Sequence, residues 1–139
     1  MGKKVLAVFY TQSGQLEDII DHFTRPLQDA GASVEKLRIY PAEAYPFPWT
    51  GKSFFAVMPD CVNQAPRPLQ PFSFKESAYD LIILGYQAWF LSPSIPANSL
   101  LNDPRFKEIA RNTPVITITG ARNMWISAME KIKPTLRNL

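Results

Sequence analysis

The chain has 139 residues, 46% hydrophobic and 19% charged, with a net charge of +3. That is enough for one folded core and not for two, and it excludes wholesale disorder. Lys and Arg are scattered rather than gathered in one stripe, so no nucleic-acid footprint is expected. A single cysteine, Cys61, excludes an internal disulfide or a multi-cysteine metal site.

Residues 5–10 (VLAVFY) form a continuous apolar run, the pattern of a strand buried on both faces. After a polar turn, Leu16, Ile19, Ile20, Phe23, Leu27 and Ala30 repeat with a helical period. Pro26 is expected to bend or weaken that helix, and Gly31 to stop it. Residues 34–39 read as a second strand, completing a β-α-β unit.

Residues 40–79 break the rhythm. Seven prolines fall between Pro41 and Pro71, which forbids a long helix or a central strand. The stretch is rich in Tyr, Phe and Trp, as a linker would not be. It is expected to be an ordered excursion over the surface, with a short helical turn near 53–58, in place of a helix joining strands two and three.

Residues 81–85 (LIILG) are the strongest buried-strand signal. A loop is expected over 86–98 and a helix over 102–111 with Pro104 at its start. A strand follows at 115–119, then a helix over 123–133 ended by Pro134. The alternation gives an α/β, doubly wound parallel sheet in three layers, strand order 2-1-3-4. A fifth strand would be usual, so the chain is expected to be the amino-terminal part of a longer protein. Neither a secretory leader nor an apolar run of membrane-spanning length is legible, and a cytoplasmic location is expected.

In doubly wound sheets ligands bind beyond the carboxyl ends of the strands. The first loop there, Thr11-Gln12-Ser13-Gly14-Gln15-Leu16, offers two hydroxyls, a glycine and the amides of a helix amino terminus, a setting for phosphate. It lacks the glycine spacing of a Walker loop or dinucleotide fingerprint, so one phosphate suits it better than a pyrophosphate. Thr11 and Ser13 could equally serve only to cap the helix. The second loop, Tyr86-Gln87-Ala88-Trp89-Phe90 and onward, has three aromatic rings and no charge, and could sandwich a flat ligand or else pack against the excursion. The third contains Thr119, Gly120 and Arg122.

These residues carry a resemblance. Residues 8–16 (VFYTQSGQL) resemble the phosphate loop of flavodoxin-like proteins. Residues 85–90 (GYQAWF) with Pro96 resemble their second flavin loop, and Thr119-Gly120-Ala121 falls where the third lies. The resemblance covers residues 3–39 and 79–133 and implies FMN as cofactor, with Thr11 to Leu16, Tyr86 to Phe90, Thr119, Gly120 and Arg122 as its site. It departs at Leu16, where many relatives place a Thr hydroxyl, and at the third loop, where Arg122 replaces glycines. Residues 45–49 (YPFPW), 85–96 and 122–125 (RNMW) resemble a bacterial group labelled dialkylresorcinol condensing enzyme. That implies an oxidative step in aromatic lipid biosynthesis, although no Cys-His condensing pair is present in the sequence.

The second loop has no acidic residue and Arg122 is the one formal charge of the third. Neutral-to-positive surroundings favour reduced, anionic flavin by Coulomb attraction, which suits an oxidoreductase, with nicotinamide as co-substrate, better than a low-potential carrier. The aromatic excursion (Phe47, Trp49, Phe54, Phe55) either walls an apolar substrate pocket or simply covers the sheet. Arg122 is the catalytic candidate, as a partner for flavin carbonyls or substrate oxygen, with a capping role as the alternative. His22 and Cys61 read as solvated and packing residues, and Asp103 and Arg105 as a helix start. An acidic cluster for a phospho-receiver is missing. A small-molecule substrate and a homodimer across the flavin site are the partners implied. The rival reading is a flavodoxin-like scaffold subunit that binds no flavin.

Overall fold

The computed structural model of the chain describes residues 2–46, 49–90, 92–119 and 126–137. The strands are β1 (Lys4–Phe9), β2 (Ser33–Arg38), β3 (Leu81–Tyr86), the two-residue β4 (Ala88–Trp89) and β5 (Ser92–Pro93), and β6 (Val115–Thr119). The helices are α1 (Gln15–Asp29), α2 (Gly51–Ala56), α3 (Met58–Val62), α4 (Ile95–Leu101), α5 (Pro104–Ala110) and α6 (Ile126–Arg137).

Among the described residues the main sheet is wholly parallel, in the order β2-β1-β3-β6. This is the doubly wound order expected, with β6 as the fourth main strand. Burial on both faces explains why β1 and β3 are continuous apolar runs. Side chains of β1 alternate between two cores. Val5, Ala7 and Phe9 join Leu16 and Ile20 of α1 on one face. Leu6, Val8 and Tyr10 join α4, α5, α6 and the excursion on the other. Gly85 makes the α1 layer fit: a Cβ there would lie 2.7 Å from Ile20 Cδ1, 2.9 Å from Phe9 Cβ and 3.1 Å from Leu16 Cδ2.

Several boundaries differ from expectation. The helix expected over 102–111 is α5, which opens at Pro104 as expected because Asp103 is extended ahead of it (ψ 126°), as the residue before a proline prefers. A further helix, α4, begins inside the expected loop, with Pro96 in its opening turn, where the missing N–H costs nothing. The same loop also folds the β4–β5 hairpin. The final helix does not stop at Pro134 but runs through it to Arg137, losing only the bond to the preceding turn. The single helical turn expected in the excursion is two short helices, α2 and α3, the former opened by a Thr50–Ser53 capping box.

The excursion packs on the face of the sheet opposite α1. It returns to β2's end through an antiparallel bridge of Pro41 with Leu69, where Gln70 N–H donates to Tyr40 O (2.7 Å) and Ala42 N–H to Pro68 O (2.9 Å). Leu37, Tyr45, Trp49, Val57, Leu69 and Phe72 add to the core from this side. On the α1 face, β6 has no further strand beside it among the described residues, and Ile116, opposite Ile83, is 41% exposed. No helix among them is long and apolar enough to cross a membrane.

Candidate functional site

The first loop leaves β1 after Phe9 and enters α1 at Gln15. Gly14, the residue before the helix, has φ 88° with no side-chain cap, a left-handed conformation that glycine adopts without strain. Thr11 is buried, and its Oγ1 accepts from Gly14 N–H (3.0 Å); Ser13 Oγ accepts from Gln15 N–H at 3.4 Å. Both hydroxyls thus brace the turn that leads into α1, while the N-cap itself is Gly14 and carries no side-chain cap. Leu16 and Glu17 lie in the first turn of α1, where N–H groups have no intrahelical acceptor. Leu16 itself is a core side chain, 4% exposed against Ile20 and Phe9, so it offers the loop only its amide.

Two side chains hold this loop from outside. Arg38, at the end of β2, donates from Nη2 to Thr11 O (2.9 Å). Gln12 turns towards the excursion: its Oε1 accepts from Trp49 Nε1 (3.1 Å), and its Nε2 donates to Pro46 O (3.4 Å).

The second loop meets the first through Gln87. Its Nε2 donates to Tyr10 O, its Oε1 accepts from Ser94 Oγ (3.3 Å), and its carbonyl accepts from Ser94 N–H (2.7 Å). Gln87 thereby closes a hollow of about 110 Å³ with Thr11, Gln12, Ser13, Gln15 and Leu16. That volume suits a phosphate group and falls below the roughly 300 Å³ where pockets for whole cofactors begin.

The aromatic residues of the second loop face inward. Tyr86 is fully buried, and Trp89 (8% exposed) is boxed edge-on by Tyr10, Tyr45 and Trp49 at ring-centre distances of 6.1, 5.3 and 5.4 Å. Phe90 stacks on Phe54 at 4.5 Å and has φ 51°, a left-handed backbone unusual for an aromatic residue. Ala88 is half-buried in the hairpin. The loop thus packs against the excursion, the alternative left open in the sequence. Sequence reasoning gave no role there to Cys61, yet its thiol donates to Trp89 O (3.1 Å) and Pro93 O (3.4 Å), tying α3 to the hairpin. Burial raises that thiol to about 11, with Lys131 pulling the other way. Lys131 of α6 also reaches the hairpin, donating to Ser92 Oγ (2.6 Å).

At the carboxyl end of β3 and β6, Tyr86 and Thr119 are register partners. Their hydroxyls are buried side by side, and burial raises the Tyr86 phenol above its ordinary value while a hydrogen bond with Thr119 pulls the other way. Gly120, Ala121, Arg122, Asn123, Met124 and Trp125 lie outside the described residues, as do Phe47 and Pro48, so the expectations for Gly120, Arg122 and Phe47 rest on sequence.

The excursion does contain a cavity, about 450 Å³, but not one walled by Trp49, Phe54 and Phe55. It lies between Tyr45, Ala56, Val57, Ile95 and the Asp60–Arg67 ion pair. Trp49 and Phe54 instead pack on the second loop, and Phe55 is 61% exposed. His22 is exposed, its Nδ1 2.8 Å from Asp18 O, and Asp103 caps α5 by accepting from Arg105 N–H (2.9 Å).

No family model and no curated protein matches the chain. Solved structures do. A flavoprotein of Lactobacillus acidophilus NCFM, crystallised in complex with FMN, superposes with a TM-score of 0.76 at 18% identity, over 97% of this chain and 87% of that one. Proteins provisionally described as flavoproteins, from Bacteroides eggerthii DSM 20697 and Bacteroides uniformis ATCC 8492, give 0.73 and 0.71 at 15% and 17% identity. They are covered over 84% and 86% of their length, against 99% and 100% of this chain. At such identities the likeness shows the fold: the chain has the flavodoxin-like arrangement of those flavoproteins.

Proposed function

We propose that the chain binds FMN and works as a flavin-dependent oxidoreductase. The observation that carries the reading is the first loop: a left-handed glycine, two hydroxyls, first-turn amides and a phosphate-sized hollow at the carboxyl end of β1. The fold shared with an FMN-bound neighbour supports it. Thr11 to Leu16 would hold the phosphate, Leu16 through its N–H alone. The ring would lie beyond Tyr86 to Phe90, bounded on the other side by Thr119, Gly120 and Arg122. Because Trp89 and Phe90 are engaged with the excursion, the second loop would meet the ring with backbone and the edge of Gln87 rather than with a stacked indole.

Bound FMN would supply hydride and single-electron transfer. The chain's own residues then position and bias it. No carboxylate lies in the second loop, and Lys131 stands at its hairpin. Positive surroundings favour the more negatively charged reduced cofactor, and so an acceptor of electrons from substrate or nicotinamide. The substrate class is apolar, in keeping with the resemblance to the dialkylresorcinol group; the excursion cavity offers Ala, Val, Ile and Pro walls, but Glu43, Asp60 and Arg67 line it too. A cytoplasmic location and a homodimer belong to the same reading. So does a further strand from a longer chain beside β6, for which the exposed Ile116 and an edge left open among the described residues speak.

The test is anaerobic reduction of the FMN-loaded protein by NADH or NADPH, with the midpoint potential measured in parallel. A potential above that of free FMN, with turnover by a nicotinamide, is expected. A potential well below free FMN would refute the oxidoreductase assignment in favour of a carrier. Failure to retain flavin would favour the scaffold reading.

A further inference from the structure

Arg38 was given no role by the sequence pattern, and its surroundings assign one. It is the last residue of β2, in register with Phe9, the last of β1. From there the guanidinium touches the phosphate loop and the helix behind it at once. Nη2 donates to Thr11 O at 2.9 Å, while Nη1 lies 3.8 Å from Glu17 Oε1. The group stands over the Tyr40 ring, 5.2 Å from its centre, and Nε is buried without a partner among the described residues.

Glu17 matters because of where it sits. It belongs to the first turn of α1, whose free amides are the natural seat of a phosphate, and Asp18 follows it. A carboxylate there stabilises the empty helix but repels a bound dianion. Lys36, two residues before Arg38 on the same face of β2, is 3.0 Å from Asp21 Oδ1 and 3.5 Å from Glu17 Oε2. Lys36 therefore pins strand to helix, whereas Arg38 also reaches the loop.

We propose that Arg38 is a positioning residue of the phosphate loop, holding the Thr11 carbonyl and sharing with Lys36 the neutralisation of Glu17, so that the first-turn amides face a phosphate monoester. This rests on the FMN reading and deepens it: the ligand class selected is the phosphorylated flavin over the unphosphorylated one. Arg suits the task better than Lys, because its planar fork serves two acceptors at fixed angles.

The experiment titrates FMN, riboflavin and inorganic phosphate into the wild-type chain and into Arg38→Gln, Arg38→Lys and Arg38→Gln/Glu17→Gln. Flavins are followed by fluorescence quenching, and phosphate by the backbone amide shifts of residues 12–15. Arg38→Gln is expected to weaken FMN and phosphate about tenfold, the factor carried by one charge-assisted hydrogen bond of about 1.4 kcal/mol. Riboflavin binding should change less than about twofold on the same scale, since it carries no phosphate to repel. Arg38→Lys should recover part of the loss, and adding Glu17→Gln should recover more. A purely structural tie between β2 and α1 would instead weaken FMN and riboflavin alike, and Glu17→Gln would deepen the loss. Either that pattern or an unchanged FMN/riboflavin ratio overturns the proposal. Should the wild-type chain bind phosphate but not FMN, the FMN reading fails while the phosphate arm still decides the role of Arg38. Binding of neither overturns both.

Discussion

Replacing Gly85 with Ala tests how the sheet carries the site. The added methyl would stand 2.7 Å from Ile20 Cδ1, 2.9 Å from Phe9 Cβ and 3.1 Å from Leu16 Cδ2. Ile20 Cδ1 is the far end of a side chain and can move. Phe9 Cβ is fixed to the neighbouring strand and cannot move without its backbone. Overpacking of this kind costs about 1–3 kcal/mol. Taking about 2 kcal/mol, and about 2.1 cal/mol/K of unfolding entropy per residue, the 139-residue chain should lose roughly 7 °C in Tm. Thermal unfolding followed by far-UV circular dichroism reads this directly. A second variant locates the clash. Ile20→Val removes the nearest atom, and by itself should cost about 0.5–1.5 kcal/mol. Combined with Gly85→Ala it should cost less than the sum, because the lost methyl makes room for the new one. Strict additivity, or a Gly85→Ala melt within a degree or so of the wild type, would refute the close approach of α1 to β3. The approach bears on function because Leu16 and Ile20 fix the amino-terminal turns of α1, and with them the loop proposed to hold phosphate.

Other expectations follow from the same contacts. Burial raises Cys61 from 9.0 to about 11 and Tyr10 from 10.0 to about 12. Both folded values lie above the unfolded ones, so their contribution is complete below about pH 9 and is lost as pH climbs towards 11 and 12. Chemical denaturation should show stability level through neutral pH and falling above about pH 9, and in Cys61→Ala the fall should begin about one unit higher; an identical onset would contradict the buried thiol. Gln12→Ala removes the acceptor of Trp49 Nε1 and should change the indole emission without unfolding the chain; an unaltered spectrum would mean that the loop and the excursion are not joined there. Trp89→Ala should cost about 3–5 kcal/mol, as a core residue does, and a melt within about 1 kcal/mol of wild type would contradict its box of Tyr10, Tyr45 and Trp49.

Much of the fold was legible because two-sided burial leaves a plain mark. The runs 5–10 and 81–85 could not be amphipathic, and the period of α1 appears in Leu16, Ile20 and Leu27. What was not legible depends on partners distant in sequence. The hairpin of β4 and β5 is fastened by Cys61, 28 residues before Trp89, and no local pattern announces it. The rings of Trp89 and Phe90 could have served a ligand or the excursion with equal chemistry; only tertiary packing decides, and it turns them inward. The first loop was legible in composition and Leu16 in the period of α1, but not the close approach of α1 to Gly85. Arg38 was missed because a basic residue ending a strand resembles any solvated charge until Thr11 and Glu17 are seen beside it.

The central claim is that the turn between β1 and α1 is a phosphate seat for a flavin. Its most direct measurement is an FMN titration of the isotopically labelled chain, read at each backbone amide. The account predicts saturable shifts, the largest at residues 12–17 with a second group at 86–90, and no shifts at 12–17 when riboflavin replaces FMN. Shifts confined to the excursion cavity around Tyr45 and Val57, or none anywhere in a folded chain, would contradict it.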